Sequence, residues 1–554
     1  MMEVLGGYTR NALGLFFTSN MFAIMTIIFF AFIIILLMSR KEIIRPFKKI
    51  NKKTWLILFV IFIIGFILRN DSYFYGSGYD GFFYQESANL LYKTGLFVKG
   101  CAIGNVYDCK LYEQILFPAG FPYLITLSYI FLGQNSLWSM ILSAFMGSLS
   151  IVLVFLITYC LFKNEEIGIY SSIVFTLIPL ELMINGSAAV RPVSTFFMVL
   201  STLFFIIALN GNKARLWSLF AITMSYSIYV RQENSILLIP FVVLFVSIYK
   251  KNIKSFKIEK FYKNLEKYWL PIAIFFISQI PVQYWILFGE VGWNGKNPIF
   301  SPLYFYHTAP VMFELLFTDY LWFKAVFNPL VSLMFLAGAY YVFIGKEKVK
   351  MTFVWVWFLA FFVLNSSYFL CRGYPEINCI GNIIRYMTTL SLPYSIISGF
   401  VIFRISNKIN INKMVFMTTS FVLIFATSFI FSGLSLPTSF MKDGRLEENY
   451  TGDAIRAINR TGKDCLLFVS QASLPDSDLL GENNRKWVDV DLIMNRTLDW
   501  IWTEVENSSC VIYLSDYRCR QYHDEQCDFI YKNFDLEPIF KENSIEAYTM
   551  KQKT

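Results

Sequence analysis

The sequence predicts a polytopic α-helical membrane protein that is followed by a small α/β domain outside the membrane. Of its 554 residues, 56% are apolar and only 16% are charged, and the mean hydropathy is +0.50. Helices that face lipid require this much apolar surface, whereas a soluble protein does not. The net charge of +9 comes from short basic clusters that lie between apolar runs. Basic topology signals of membrane proteins have this position. We therefore expect membrane lipids, and not nucleic acid, around this chain.

Twelve segments are long and apolar enough to be predicted as membrane-spanning helices. The first apolar run is too long for a cleavable signal peptide, and a basic loop, 39–53, follows it. With twelve crossings, every basic loop falls on one side of the membrane, which the positive-inside rule makes the cytoplasm. Both termini are then extracytoplasmic. The segments are 21–38, 54–69, 136–161, 167–184, 192–210, 214–230, 234–249, 269–288, 328–344, 351–369, 385–404 and 414–432.

The apolar segment 117–133 is not counted among these spans. It contains Pro118 and Pro122, and a helix of about 16 residues covers roughly 24 Å, which is less than the ~30 Å hydrocarbon core. A crossing at this point would also move the basic loop 250–267 to the outside. We therefore predict an external juxtamembrane or re-entrant helix.

The polar tail is predicted to be a second domain. Residues 1–432 form the predicted transmembrane domain, and residues 433–554 form the predicted extracytoplasmic α/β domain. The tail contains two apolar runs that are typical of buried strands, CLLFV at 465–469 and CVIYL at 510–514. The stretch EQCDFIYKNF, which begins at Glu525, has the pattern of a helix.

The cysteines support this topology. Of nine cysteines, Cys160 lies inside a predicted span and the other eight lie in segments predicted to be external. An even set on one face favours disulfides formed in an oxidising compartment. Zinc binding is the competing interpretation, but the chain has only two histidines and no C-x-x-C pattern. Equal spacing suggests the pairs Cys101–Cys109, Cys371–Cys379 and Cys519–Cys527, which leaves Cys465–Cys510.

Ionisable residues that border the spans are concentrated on the predicted outer side. Charges at membrane depth are costly and are usually functional or paired. Simpler explanations also exist. Asp80 starts a predicted helix, where an acidic N-cap is common, and Glu86 has the apolar neighbours of an amphipathic helix. Arg231 and Glu233 fit headgroup-level residues. The full set is Arg69, Asp80, Glu86, Arg191, Arg231, Glu233, Arg372, Glu376 and Arg385.

Four stretches resemble the GT-C glycosyltransferases, which include the protein O-mannosyltransferases and the lipid A aminoarabinose transferases. DGFFYQESA at 80–88 is similar to the first external loop of that family, and PAGFP at 118–122 is similar to its juxtamembrane segment. VRQE at 230–233 and the Arg-Tyr pair at 385–386 resemble a later outer loop and the start of a late span. The resemblance covers roughly residues 54–405.

The resemblance implies transfer of a sugar from a polyprenyl phosphate (dolichyl or undecaprenyl) to an acceptor hydroxyl on the outer face. The acceptor is a protein, a lipid or a glycan. Asp80 is the expected general base, and Arg191, Arg231 or Arg385 is expected to hold the donor phosphate. The other residues expected to bind substrate are Tyr79, Tyr84, Glu86, Glu233 and Tyr386.

The sequence also departs from the family. A second acid often follows the first, whereas this chain has Asp80-Gly81, and Arg191-Pro192 stands where many members carry an acid. We therefore expect no cofactor and a metal-free reaction, with a divalent metal as the alternative. The WWDYG motif of oligosaccharyltransferases is absent. A transporter or lipid flippase is the principal alternative, but it predicts charged or broken helices at the midplane. A non-catalytic receptor is the third interpretation.

Overall fold

The computed structural model describes most of the membrane part of the chain and the sheet of the C-terminal part. Cys371, Cys379 and Cys519 lie outside the described residues, as do Arg372 and Glu376. The described residues are 12–70, 78–97, 101–105, 108–112, 118–135, 137–184, 189–211, 213–253, 258–288, 300–317, 326–345, 347–368, 383–409, 412–432, 457, 460–461, 465–469, 487–489, 505–515, 525–542 and 545–552.

The membrane part is helical, because its long apolar runs must satisfy their backbone hydrogen bonds internally. Its helices are α1 Ala12–Ile44, α2 Lys52–Asn70, α3 Gly78–Thr94, α4 Gly120–Leu132, α5 Leu137–Phe162, α6 Glu165–Thr176, α7 Pro179–Ile184, α8 Val190–Gly211, α9 Ala214–Val230, α10 Leu238–Ile253, α11 Ile258–Phe288, α12 Pro302–Glu314, α13 Pro329–Ala337, α14 Tyr340–Phe343, α15 Lys348–Ser367, α16 Ser391–Lys408 and α17 Lys413–Ser432. Short 3-10 helices cover Arg45–Lys49, Gln232–Leu237 and Met387–Leu390.

Within the described residues, six helices are long and apolar enough to cross a membrane. The chain is therefore a multi-pass membrane protein, while the predicted count of twelve spans is not confirmed. The six helices are Phe16–Lys49, Leu137–Phe162, Val190–Gly211, Lys348–Ser367, Ile383–Lys408 and Lys413–Ile430.

Two of the predicted spans are not continuous helices. Segment 167–184 contains most of α6 and all of α7, and the break precedes Pro179, which lacks the N–H that a continuing helix needs. Segment 328–344 contains α13 and α14 with Gly338 between them. A Cβ on Gly338 would lie 2.2 Å from Cγ2 of Ile397, so this bend lets the chain pack closely against α16.

Helix α4 is short, as predicted for segment 117–133. Its 13 residues cover about 20 Å, which is less than the hydrocarbon core. Gly133 ends the helix at a φ of +87°, a backbone conformation that favours glycine. Its location on the outer face stays a prediction.

The described strands form one seven-stranded sheet in the order β2-β1-β4-β3-β5-β7-β6. The two predicted strands are present as β3 and β5, which are parallel neighbours, and the predicted helix is α18, Glu525–Asn533. The predicted Cys465–Cys510 disulfide, which lies directly before these two strands, is present. The strands are β1 Cys101–Asn105, β2 Asp108–Tyr112, β3 Leu466–Val469, β4 Trp487–Asp489, β5 Val511–Ser515, β6 Phe534–Glu542 and β7 Ile545–Gln552.

The sheet draws on two distant parts of the sequence. The hairpin β1–β2 belongs to the loop after α3, and it joins the tail because β1 pairs antiparallel with β4. Ile103 lies opposite Val488, and Gly104 lies opposite Trp487. Neither this hairpin nor its pairing with β4 is among the features predicted from the sequence. The boundary at residue 432 between two domains stays a prediction.

Candidate active site

Helix α3 carries the DGFFYQESA stretch, and its middle is buried against the neighbouring helices. Tyr84, Gln85 and Glu86 are all buried, and Nε2 of Gln85 donates a hydrogen bond of 2.7 Å to Oγ of Ser139. Glu86 is only 2% exposed, so its side chain does not lie on a solvent-exposed face of α3. Its carboxyl group therefore lies in the packed interior, where charged groups are rare unless they are paired.

Asp80 and Tyr79 lie in the first turn of α3, and their side chains are outside the described part of the structure. The helix begins at Gly78, so Asp80 is its third residue rather than the residue that precedes the helix. An acid in the first turn still interacts favourably with the helix dipole. The predicted role of Asp80 as base stays a prediction.

Arg231 lies where two predicted spans meet. It ends α9 with an extended backbone (φ −151°, ψ 122°), and its N–H donates to the carbonyl of Ser227 at 3.0 Å. The chain then turns into the 3-10 helix Gln232–Leu237, which brings Glu233 back beside Arg231. Nη2 of Arg231 lies 2.7 Å from Oε1 of Glu233. Arg231 and Glu233 therefore form a largely buried ion pair.

The ring of Tyr386 joins Arg231 to a second arginine. The Cζ of Arg231 lies 4.8 Å from the ring centroid, and the Cζ of Arg191 lies 5.8 Å from it. Arg191 is the second residue of α8 and is buried. Both guanidiniums are within the range of a cation–π interaction with this single ring. We call Arg191, Arg231, Glu233 and Tyr386 the arginine cluster.

Further residues support Tyr386 from two sides. Nδ2 of Asn365, near the end of α15, donates to the carbonyl of Tyr386 at 3.0 Å. The ring of Tyr368 lies 5.6 Å from the ring of Tyr386. Tyr84 is close enough to Arg231 to interact with it electrostatically. Of the predicted site residues, Arg191, Arg231, Glu233 and Tyr386 thus meet at one place, and Tyr84 on α3 lies near Arg231. Arg385 is half-buried and is next in sequence to Tyr386.

The four residues of the arginine cluster contain two guanidiniums and one carboxyl group. Burial raises the pKa of the Glu233 carboxyl, but the charge of Arg231, its hydrogen bond and the charge of Arg191 together hold the pKa below its ordinary value. Glu233 is therefore ionised at neutral pH. An anion that enters this cluster meets two guanidiniums in a largely buried setting.

A second buried charged pair joins α2 to α7. Arg69 is fully buried, its Nη2 donates to the carbonyl of Phe175 at 3.2 Å, and its Cζ lies 5.4 Å from the Phe175 ring. Glu181 is also buried and is close enough to Arg69 for an electrostatic interaction. Arg69 is among the residues predicted from the sequence, but Glu181 is not, because segment 167–184 is predicted as one span. The acid two residues after Pro179 was the available signal.

A site made of several metal ligands is not found in the part of the chain that the structure describes. There, no group of three or more His, Cys, Asp or Glu side chains is placed to hold a metal ion. Because the side chain of Asp80 lies outside that part, the expectation of a metal-free reaction stays a prediction.

The chain has the fold of the GT-C glycosyltransferases, the class that the sequence resemblance predicted. The archaeal oligosaccharyltransferase AglB from Archaeoglobus fulgidus, solved with an inhibitory peptide and a dolichol-phosphate, is 12% identical with a TM-score of 0.53. That match covers 90% of this chain and 74% of AglB. ArnT from Cupriavidus metallidurans, bound to undecaprenyl phosphate, is 11% identical with a TM-score of 0.52, covering 90% of this chain and 98% of ArnT. No family model and no curated protein matches the sequence.

Proposed function

We propose that this chain is a membrane glycosyltransferase that takes its sugar from a polyprenyl phosphate. In this proposal the acceptor is a hydroxyl group on a protein, lipid or glycan at the extracytoplasmic face. Asp80 accepts the proton of that hydroxyl while its oxygen attacks the anomeric carbon of the sugar. The bond from the anomeric carbon to the phosphate oxygen breaks, and the polyprenyl phosphate leaves.

The observation that carries the proposal is the arginine cluster. A departing phosphate develops negative charge, and fixed cations in a largely buried site stabilise that charge better than water does. Arg191 and Arg231 meet on the ring of Tyr386 from two different helices. A guanidinium also matches the geometry of a phosphate with two parallel N–H donors.

The fold adds a second line of support. AglB was solved with a dolichol-phosphate and ArnT with undecaprenyl phosphate. Both ligands are polyprenyl phosphates, whose chain stays in lipid while the phosphate lies at the membrane surface. A polyprenyl-phosphate sugar is therefore the donor class that this fold favours. The sugar and the acceptor are left open.

The proposal is tested by a transfer assay with the full-length chain in detergent or liposomes. We expect radiolabelled sugar from a polyprenyl-phosphate donor to appear on an acceptor and polyprenyl phosphate to be released. A panel of donor sugars, with and without chelator, also measures the metal dependence. Folded protein that neither binds polyprenyl phosphate nor releases it from any donor would contradict the proposal. A transporter would instead move the labelled lipid across liposomes without cleaving it.

Arg191→Ala is expected to weaken the binding of undecaprenyl phosphate by about 10- to 100-fold, the value of a hydrogen bond to a charged group. Turnover should fall as well, because the leaving phosphate gains charge in the transition state. Arg191→Lys should restore only part of the affinity and of the turnover, since an ammonium lacks the paired donors of a guanidinium. Tryptophan fluorescence or calorimetric titration measures the affinity.

Arg404→Ala is the matched control for this experiment. The Cζ of Arg404 lies 5.0 Å from the ring of Phe400 on α16, so the substitution also removes an arginine–aromatic contact, but one outside the arginine cluster. Its affinity for undecaprenyl phosphate should equal that of the wild type. Equal losses in the Arg191 and Arg404 variants would show that the contact matters only for folding.

A further inference from the structure

Asn234 connects the two helix ends that carry the arginines. It lies in the 3-10 helix Gln232–Leu237 and is completely buried. Its side chain lies within hydrogen-bonding distance of Ser194 on α8, at 2.9 Å from Nδ2 to Oγ, and of Ser227 on α9, also at 2.9 Å. Nδ2 also donates to the carbonyl of Ser227 at 3.0 Å. One amide thus joins α8 and α9.

The two serines lie one helical turn from the arginines. Ser194 is three residues after Arg191 on α8. Ser227 is four residues before Arg231, the residue that ends α9. The carbonyl of Ser227 also accepts the N–H of Arg231 at 3.0 Å, and the N–H of Asn234 donates to the carbonyl of Arg231 at 3.1 Å. The backbone of Arg231 is therefore bonded on both sides by groups that Asn234 touches or supplies.

We propose that Asn234 is a positioning residue that fixes the separation of Arg191 and Arg231 for one phosphate group; this inference rests on the proposed function. A buried amide with several partners has few alternative arrangements, because each lost hydrogen bond leaves an unpaired polar group. A buried amide that is held in this way suits a pair of cations. Like charges repel each other, so the two guanidiniums would lower their energy by moving apart. The amide opposes this movement at the ends of two helices that already pack together.

Asn234→Ala tests the inference by two measurements on the full-length protein. We expect undecaprenyl phosphate to bind about tenfold more weakly, because a misplaced pair of donors loses hydrogen bonds to the phosphate. We also expect phenylglyoxal to modify Arg191 and Arg231 faster, as peptide mass spectrometry would measure at each residue. The second measurement needs neither donor nor activity.

Asn328→Ala is the matched control. Asn328 is likewise a buried asparagine whose Nδ2 bonds a carbonyl and two hydroxyls, those of Ile424, Thr427 and Ser428 on α17. This control should lower the thermal stability to a similar degree, while the affinity and the two modification rates stay as in the wild type. Equal changes in both variants, or unchanged modification of both arginines in Asn234→Ala, would overturn the inference.

The two proposals fail in different ways. If the wild-type protein does not bind undecaprenyl phosphate, the proposed function is wrong, and the modification rates alone decide the role of Asn234. If Asn234→Ala does not fold, Ser194→Ala and Ser227→Ala each remove one partner of the amide at a smaller cost. Faster modification of the two arginines in these variants supports the inference, and unchanged rates in both contradict it.

Discussion

Asp80→Asn should lower the rate of sugar transfer by about 10²- to 10⁴-fold, the usual contribution of a general base. Asparagine keeps the size of the side chain but removes its negative charge and nearly all of its basicity. The affinity for undecaprenyl phosphate should change little, because the arginine cluster and not Asp80 is proposed to hold the phosphate. Single-turnover transfer with saturating donor measures the chemical step separately from binding.

The alternative for Asp80 is a purely structural role in the first turn of α3. In that case Asp80→Asn costs roughly 1 kcal/mol of stability or less, and transfer is almost unchanged. Glu86→Gln should be measured beside Asp80→Asn, since it removes the charge of a buried carboxyl on the same helix. Folded Asp80→Asn protein with a normal transfer rate would remove Asp80 from the mechanism.

Gly120→Ala should damage both stability and transfer. A Cβ at this position would lie 2.7 Å from the backbone C and O of Tyr229 and from the N of Val230, the residue before Arg231. A flexible side chain moves aside at little cost, whereas this contact is with helix backbone, so we expect about 1–3 kcal/mol of lost stability. The end of α9 must shift, and a displacement near 1 Å at a catalytic group can reduce turnover about 10²-fold.

Gly399→Ala separates these two effects. A Cβ on Gly399 would lie 2.5 Å from the N of Ser171 and 2.7 Å from its Cα, so α16 and α6 have a similarly close contact away from the arginine cluster. Thermal unfolding and transfer rate are measured on both variants. We expect similar destabilisation, with the loss of transfer confined to Gly120→Ala. Equal transfer per folded molecule would rule out a positioning role for Gly120.

Local patterns in the sequence predicted the features that depend on local physics. Long apolar runs predicted the positions of most helices, and two short apolar runs predicted the strands at 466–469 and 511–515. The spacing of the cysteines left Cys465 and Cys510 as a pair, and that disulfide is present. The predicted site residues Tyr84, Arg191, Arg231, Glu233 and Tyr386 also meet in the fold. Their convergence reflects the rule that buried charges require partners.

Features that depend on distant contacts had no local signal. Asn234 is one polar residue in a short loop, and its hydrogen bonds to Ser194 and Ser227 exist only after α8 and α9 pack together. Gly120 was visible within the PAGFP stretch, but its contact with the backbone of Tyr229 was not. The hairpin β1–β2 has a partner strand more than 370 residues further along the chain (487 − 105 = 382). Pairings of such long range cannot be read from periodicity.

The pairing of β1 with β4 constrains how the chain threads the membrane. Two strands can share hydrogen bonds only on the same side of a bilayer, so the chain between residues 105 and 487 crosses an even number of times. The predicted spans satisfy this parity, because ten of the twelve lie in that interval (12 − 2 = 10). One more crossing at 117–133 would make the number odd and forbid the sheet. During synthesis the hairpin is made long before β4, so the two can pair only after the last predicted span has been synthesised.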